Sequence, residues 1–316
     1  MEYKRIIEQM NAWGAQKEPF FFMINFEKTE GEIFKLNQFP KSICYEIEGK
    51  AQPKNQPIEF QKSPIAFELY LQKFQSLHQA ILRGDSYLLN FTQPTKIETT
   101  HSLVEIYHTA KAKFKLLTPN FVCFSPERFV KISDNQIFSY PMKGTIDATI
   151  PNAKEKLLND EKEAAEHATI VDLIRNDLSL VAENVEVKRY RYIDQLKTNQ
   201  HDLLQVSSEI VGKLPANYTS KLGDIFDALL PAGSISGAPK KKTVELILEN
   251  EGYDRGYYTG VFGVFDGENL DSGVLIRFIE EIDGQCFYKS GGGITHKSDA
   301  HSEYNEMIQK IYVPLY

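Results

Sequence analysis

Residues 257–289, YYTGVFGVFDGENLDSGVLIRFIEEIDGQCFYK, decide the fold. Aromatic and β-branched residues fill 257–265, 270–282 and 286–289, while Asp266-Gly267 and Asp283-Gly284 stand between them as turn dipeptides. This spacing predicts an antiparallel meander. A helix follows over about 299–312 and stops before Pro314.

The rest of the chain reads as strands interrupted by helices. Strands are predicted at 20–26, 31–36 and 43–47, then at 87–92 and 121–124, with 52–64 as an exposed, proline-rich connection. Segments 128–132 and 136–140 flank Ser133-Asp134-Asn135 as a hairpin. Further strands are expected at 185–193 and 203–210. Helical periodicity marks 1–17, 65–83, 103–114, 154–158, 162–180, 221–230 and 239–250. Without strict strand–helix alternation, the class is α+β, with antiparallel sheets packed together and helices outside. A single domain over 1–316 is expected, its strand-rich part at 1–64 leading into a catalytic core at 65–316.

Of the 316 residues 42% are hydrophobic and 25% charged, the balance of a globular chain. The formal net charge of −7 argues against a nucleic-acid partner, which requires clustered Lys and Arg. Three scattered cysteines, with no CxxC pair, suit neither a disulfide framework nor structural zinc and predict buried or inert thiols. No signal peptide or run of 18 apolar residues is present, so a cytoplasmic protein without a membrane partner is expected.

Four segments could carry chemistry. Glu303, Glu306 and Lys310 share one arc of the closing helix, next to the apolar stripe. Paired carboxylates suit a hard cation such as Mg²⁺, although spacing alone more readily describes a solvated Glu/Lys face. Gly291-Gly292-Gly293 follows a strand and allows close backbone approach and N–H groups for an anion, or simply a tight turn. Lys297-Ser298 lies beyond, but His296 stands where a phosphate-binding loop needs glycine. Glu166 shares a helical stripe with Ile170 and Leu173, and burial there would demand a metal or a base, whereas a carboxylate near a helix start needs neither. Lys143, in Pro141-Met142-Lys143-Gly144-Thr145, gains nucleophilicity if desolvated, and the hairpin could bring Glu127 toward it.

These segments, in this order, resemble the chorismate-utilising enzymes: anthranilate, aminodeoxychorismate, isochorismate and salicylate synthases. The matching runs are Ser125-Pro126-Glu127, 141–145, EHATIVDLIRNDL at 166–178, GSISGAPK at 233–240, Tyr257-Tyr258-Thr259-Gly260 and 291–306. The resemblance covers about residues 84–312, and its motifs are specific jointly rather than singly. It implies that Glu166 and Glu306 bind Mg²⁺ with Glu303 beside them. Tyr258, Arg277 and the Gly291, Gly292 and Gly293 backbone would bind the enolpyruvyl carboxylate. Lys310 would sit near the metal-side carboxylate, Gly144, Thr145 and Ser234 would line the substrate, and Glu127 would act as general acid.

Lys143 then selects the branch. The resemblance implies Ala there in anthranilate synthases and Lys in aminodeoxychorismate synthases. In the latter the lysine amine attacks chorismate before ammonia replaces it, giving 4-amino-4-deoxychorismate, on the way to p-aminobenzoate and folate. Ammonia would come from a separate glutamine amidotransferase subunit, and no tryptophan regulatory site is expected. Anthranilate synthesis is the nearest enzymatic alternative; a non-catalytic chorismate-binding or scaffold relative is the alternative of another class. Two positions depart from the pattern: Leu88 replaces a glutamine common in aminating relatives. The family's substrate-site histidine has no clear counterpart, Gln205 or His201 being the nearest.

Overall fold

Phe20–Ile24 is a run of five apolar residues, all buried, as befits a strand covered on both faces. The computed structural model describes residues 1–49, 58–196 and 202–315. Phe20–Ile24 pairs antiparallel with Gly31–Lys35 on one side and Val261–Phe265 on the other. Among the described residues this sheet has nine strands. From Val261–Phe265 it continues through Leu270–Val274, Arg128–Ser133, Gln136–Ser139 and Leu203–Lys213 to Met142–Asp147, with Glu183–Leu196 also paired to Leu203–Lys213. A second sheet, of eight strands among the described residues, runs Gly237–Ala238, Leu88–Glu98, Gln285–Ile294, Phe278–Ile282, Phe121–Ser125, Phe114–Leu117 and Cys44–Ile47. Gln61–Ser63 also pairs with Leu88–Glu98. Every one of these pairings is antiparallel, as an α+β class requires.

The two sheets share a core in which Phe21, Met23 and Phe262 of the first pack with Phe114, Leu116, Cys123 and Phe278 of the second. Each fully buried Phe contributes about 2–3 kcal/mol by leaving water. Helices cover the outer faces. Tyr3–Ala15 and Leu222–Leu229 set Ile6, Met10, Leu222 and Phe226 against the nine-stranded sheet, and Glu161–Leu178 adds Val171 and Leu178. Leu103–Thr109 covers Val122, Phe124 and Ile279. Phe67–Leu82, Lys240–Glu251 and Ala300–Gln309 meet over Leu89, Phe91 and Ile294. Among the described residues no helix is long and apolar enough to cross a membrane.

The predicted hairpin forms, with Asp134 and Asn135 both at positive φ as a two-residue turn between antiparallel strands demands. Three expectations change. The helix expected to reach residue 114 stops at Thr109, because Phe114–Leu117 pairs on both edges in the sheet with all four residues buried. The strand expected at 87–92 extends to Glu98 through Pro94. Thr92 N–H points away from the Gln285–Ile294 strand, to Glu251, and the ring nitrogen of Pro94 faces the same way. Gln61–Ser63 begins its pairing only at Lys96, so proline removes no ladder bond there.

The third change sets up the site. The strand expected over 270–282 is two strands, Leu270–Val274 in the nine-stranded sheet and Phe278–Ile282 in the eight-stranded one. Leu275, Ile276 and Arg277 carry the chain across. Beside them Phe121–Ser125 passes through Pro126 and Glu127 into Arg128–Ser133, making the opposite crossing. Val274 N donates to Glu127 O (3.1 Å) and Phe124 N to Arg277 O (3.1 Å), which ties the crossings together. The meander is therefore a corner between two sheets.

Candidate active site

Glu127 and Arg277 emerge from this corner into a cavity of about 520 Å³. Arg277 has φ +54°, a left-handed conformation that costs a bulky side chain and persists only where the surroundings enforce it. Its guanidinium donates to Lys310 O (2.9 Å) and lies over the Tyr312 ring. The Glu127 carboxylate accepts a 2.5 Å hydrogen bond from Ser234 Oγ, offered by the short turn Gly233–Ile235. Enclosure by protein raises the Glu127 pKa above the usual carboxylate value, opposed by the Ser234 hydrogen bond and the charges of Lys143 and Lys310. Glu127 is thus disposed to hold a proton.

Lys143 lines the same cavity, on Met142–Asp147. Cross-strand pairing with Leu203–Lys213 slips between Lys143 and Thr145, where Gly144 takes φ +76°. A bulge of this kind re-aims the side chain beside it. A side chain at Gly144 would be strained by that φ and would press on Glu163 and Leu157 at 3.1 Å. Lys143 Nζ stands 3.5 Å from Glu166 Oε2, both side chains 31% exposed. Thr145 also lines the cavity, and across the strand Gln205 reaches its hydroxyl at 3.4 Å.

The glycine run forms the floor. Gly291, Gly292 and Gly293 lie within Gln285–Ile294, opposite Thr92, Phe91 and Asn90. Asn90 N donates to Ser236 O and Thr92 N to Glu251, so neither bonds its cross-strand partner. In an antiparallel ladder this turns the N–H groups of Gly291 and Gly293 to the other edge. Pairing there with Phe278–Ile282 ends at Lys289, which leaves that edge to the cavity. A Cβ at Gly291 would stand 2.0 Å from Phe91 O, so only glycine permits this pairing.

The expected carboxylates divide into two places. Glu303 and Glu306, one helical turn apart on Ala300–Gln309, both face Gly292, where a Cβ would lie 3.3 Å from each. Lys310 Nζ bridges Glu306 (2.6 Å) and Gly291 O (2.8 Å). Glu166 is apart from them, beside Lys143 on an adjoining cavity. Among the described residues no group of three or more His, Cys, Asp or Glu side chains stands close enough to hold a metal ion. The Glu303–Glu306 pair by itself fits Mg²⁺, which takes one or two carboxylates and keeps water on its other positions.

Of the residues singled out in the sequence, Glu127, Lys143, Gly144, Thr145, Ser234, Tyr258, Arg277, Gly291, Gly292, Gly293, Glu306 and Lys310 line the one cavity. Glu303 stands behind Gly292, and Glu166 in the next cavity. Leu88 and Gln205 line the main cavity too, whereas His201 lies outside the described residues. Tyr258 is buried, and burial holds its phenol protonated as a donor.

The sequence reading passed over what supports this floor. Arg255, fully buried, binds Glu251 through Nε (2.7 Å) and Nη2 (2.6 Å). It also donates to Asn90 O (2.7 Å) and Ile235 O (3.2 Å), and both residues line the cavity. Their i, i+4 spacing was legible, but the helix was expected to end at residue 250, one short of Glu251. Of the cysteines expected to be buried or inert, Cys44 is exposed.

The sequence profile described as chorismate binding enzyme matches residues 16–316. A protein of Haemophilus influenzae named "Uncharacterized PabA-like protein" is 51% identical over 99% of this chain and 97% of its own length. Aminodeoxychorismate synthase component 1 of Escherichia coli is 31% identical over 79% of this chain, which spans 57% of that protein. The crystal structure of anthranilate synthase component I from Streptococcus pneumoniae superposes with a TM-score of 0.67 at 26% identity, covering 82% of this chain and 60% of that one. With the profile matching all but its first residues, the chain belongs to the chorismate binding enzyme family.

Proposed function

We propose that this chorismate-utilising enzyme aminates chorismate at C4, forming 4-amino-4-deoxychorismate through a covalent adduct on Lys143. The observation that carries the reading is that Lys143 and Glu127 line one cavity together with Arg277, Tyr258, Lys310 and the glycine run. Arg277, Tyr258 and the N–H groups of Gly291 and Gly293 would hold the enolpyruvyl carboxylate, with Lys310 near the ring carboxylate.

The Lys143 amine forms a bond to C2 while the ring double bonds shift and the C4–oxygen bond breaks. Glu127 gives its proton to the departing hydroxyl, which leaves as water. Ammonia then bonds to C4, the double bonds shift back, and the C2–nitrogen bond breaks to release Lys143. Glu127 takes the excess proton from the new ammonium group. One substitution is thereby divided into two steps of lower barrier.

Glu303 and Glu306 would hold Mg²⁺ at the glycine floor, while Glu166 stands apart from them at Lys143. Bound there, it would neutralise the ring carboxylate and the charge developing on the ring. Ammonia would be supplied by a separate glutamine amidotransferase subunit, a reading supported by relatives named as components of a synthase.

Incubation with chorismate, Mg²⁺ and ammonium, with and without an aminodeoxychorismate lyase, tests the proposal. p-Aminobenzoate formed only with the lyase is expected. Anthranilate as product, or no turnover at any ammonium concentration, overturns it. Lys143→Ala is expected to abolish amination at C4, and unchanged p-aminobenzoate formation would remove the covalent step.

A further inference from the structure

Ser234 reaches Glu127 from the loop 230–239, which joins the helices Leu222–Leu229 and Lys240–Glu251. The two halves of that loop are held differently. Ile235 O accepts from Arg255 Nη1 (3.2 Å), Ser236 O accepts from Asn90 N (3.0 Å), and Gly237–Ala238 pairs with Leu88–Glu98, so the second half belongs to the eight-stranded sheet. The first half is closed by one ammonium group. Lys240 Nζ donates to Leu229 O (2.8 Å) and to Asp177 Oδ2 (3.0 Å), which ties both ends of the loop to the last turn of Glu161–Leu178. Asp177 in turn backs the residue before Ser234: a Cβ on Gly233 would stand 2.8 Å from Asp177 Oδ2. Asp177, Gly233, Ser234 and Glu127 border a common gap of about 30 Å³, space into which an untethered turn can move.

Helix stability explains neither charge. Lys240 is the first residue of its helix and Asp177 lies in the last turn of another, each at the end whose partial charge has its own sign. Their side chains are only 20% and 16% exposed, and a pair so removed from water contributes little net stability. The best-attested use of such a pair is to fix one arrangement among several. We propose that Lys240 and Asp177 are positioning residues for the general acid: their ion pair clamps the first half of the loop and so keeps the Ser234 hydroxyl on the Glu127 carboxylate. This rests on the reading of Glu127 as the acid of the amination above.

Difference infrared spectra against Glu127→Gln isolate the Glu127 carboxyl band, and the pH at which it fades reads that group without substrate or turnover. Lys240→Met keeps the side-chain stem and loses the ammonium. The fading point should rise by about half a pH unit or more, as in Ser234→Ala, because the carboxylate loses a donor. Lys143 and Lys310, the other charges that act on Glu127, are untouched by either change. Added to Ser234→Ala, Lys240→Met should shift the band no further, whereas a direct effect of the Lys240 charge would persist there. The kcat for amination should fall about tenfold in Lys240→Met and recover in Lys240→Arg. Lys240→Met combined with Asp177→Asn leaves no charge unpaired and serves if the single variant is unstable. An unmoved Glu127 band in a folded variant, or a shift of equal size with and without the Ser234 hydroxyl, overturns the clamp. Failure of the wild-type enzyme to aminate chorismate overturns the reading beneath it, a result distinguishable because the infrared titration needs no turnover.

Discussion

Replacing Glu251 with glutamine removes one charge and no volume from the interior beneath the glycine floor. Its carboxylate accepts from Arg255 Nε and Nη2 and from both the N–H and hydroxyl of Thr92, all within 2.6–2.8 Å. Glutamine keeps one acceptor oxygen and turns an NH2 group toward a donor. The Arg255 guanidinium, with no exposed surface, is then left without its counter-charge. Breaking a buried pair from one side costs about 3–5 kcal/mol. At roughly 2–4 °C per kcal/mol, Glu251→Gln lowers Tm by about 6–20 °C, toward the lower figure for a chain of this length. Thermal unfolding followed by far-ultraviolet circular dichroism measures this directly. Arg255 also anchors Asn90 and Ile235, so chorismate affinity measured calorimetrically below the transition should weaken too. An unchanged Tm would show that the Arg255 charge is balanced elsewhere and would refute the argument.

Three further outcomes follow from the site. Gly291→Ala drives a Cβ to 2.0 Å from Phe91 O, where backbone must move, so the variant loses about 1–3 kcal/mol or fails to fold; wild-type Tm would disprove the close approach. Glu306→Gln, whose carboxylate is exposed, should leave Tm alone and abolish the heat of Mg²⁺ binding in a calorimetric titration without substrate; retained binding moves the metal elsewhere. Because Glu127 keeps its proton to higher pH than an ordinary glutamate, turnover that needs that proton falls as pH rises through the elevated value. Ser234→Ala removes a donor that favours the carboxylate, so the falling limb of kcat/KM shifts to higher pH; a shift to lower pH removes Glu127 as the acid.

Local signals carried much of the architecture. Alternating and continuous apolar runs located most strands, and turn dipeptides such as Asp266-Gly267 separated them. What they could not carry was the partner of each strand. Residues 270–282 read as one strand because Leu275-Ile276-Arg277 holds no glycine, proline or turn dipeptide; the break arises from pairing with Glu127 and Phe124, far away in sequence. Phe114–Leu117 went unrecognised as a strand, its first residue assigned to the end of a helix, for the same reason. At the site, residue types announced Lys143, the glycines and the closing-helix carboxylates. The separation of Glu166 from Glu303 and Glu306 depends on tertiary placement, as does the burial of Glu251 against Arg255.

Phe20–Ile24, near the beginning of the chain, owes one of its two edges to Val261–Phe265, near the end. A ribosome adding about 5–20 residues per second needs on the order of tens of seconds to produce that partner. Throughout that interval a strand of five apolar residues has only its hairpin neighbour, and its other edge can template association with any extended chain. Newborn copies are thus vulnerable until residues 261–265 have been made, and the arrival of that strand is what ends the hazard.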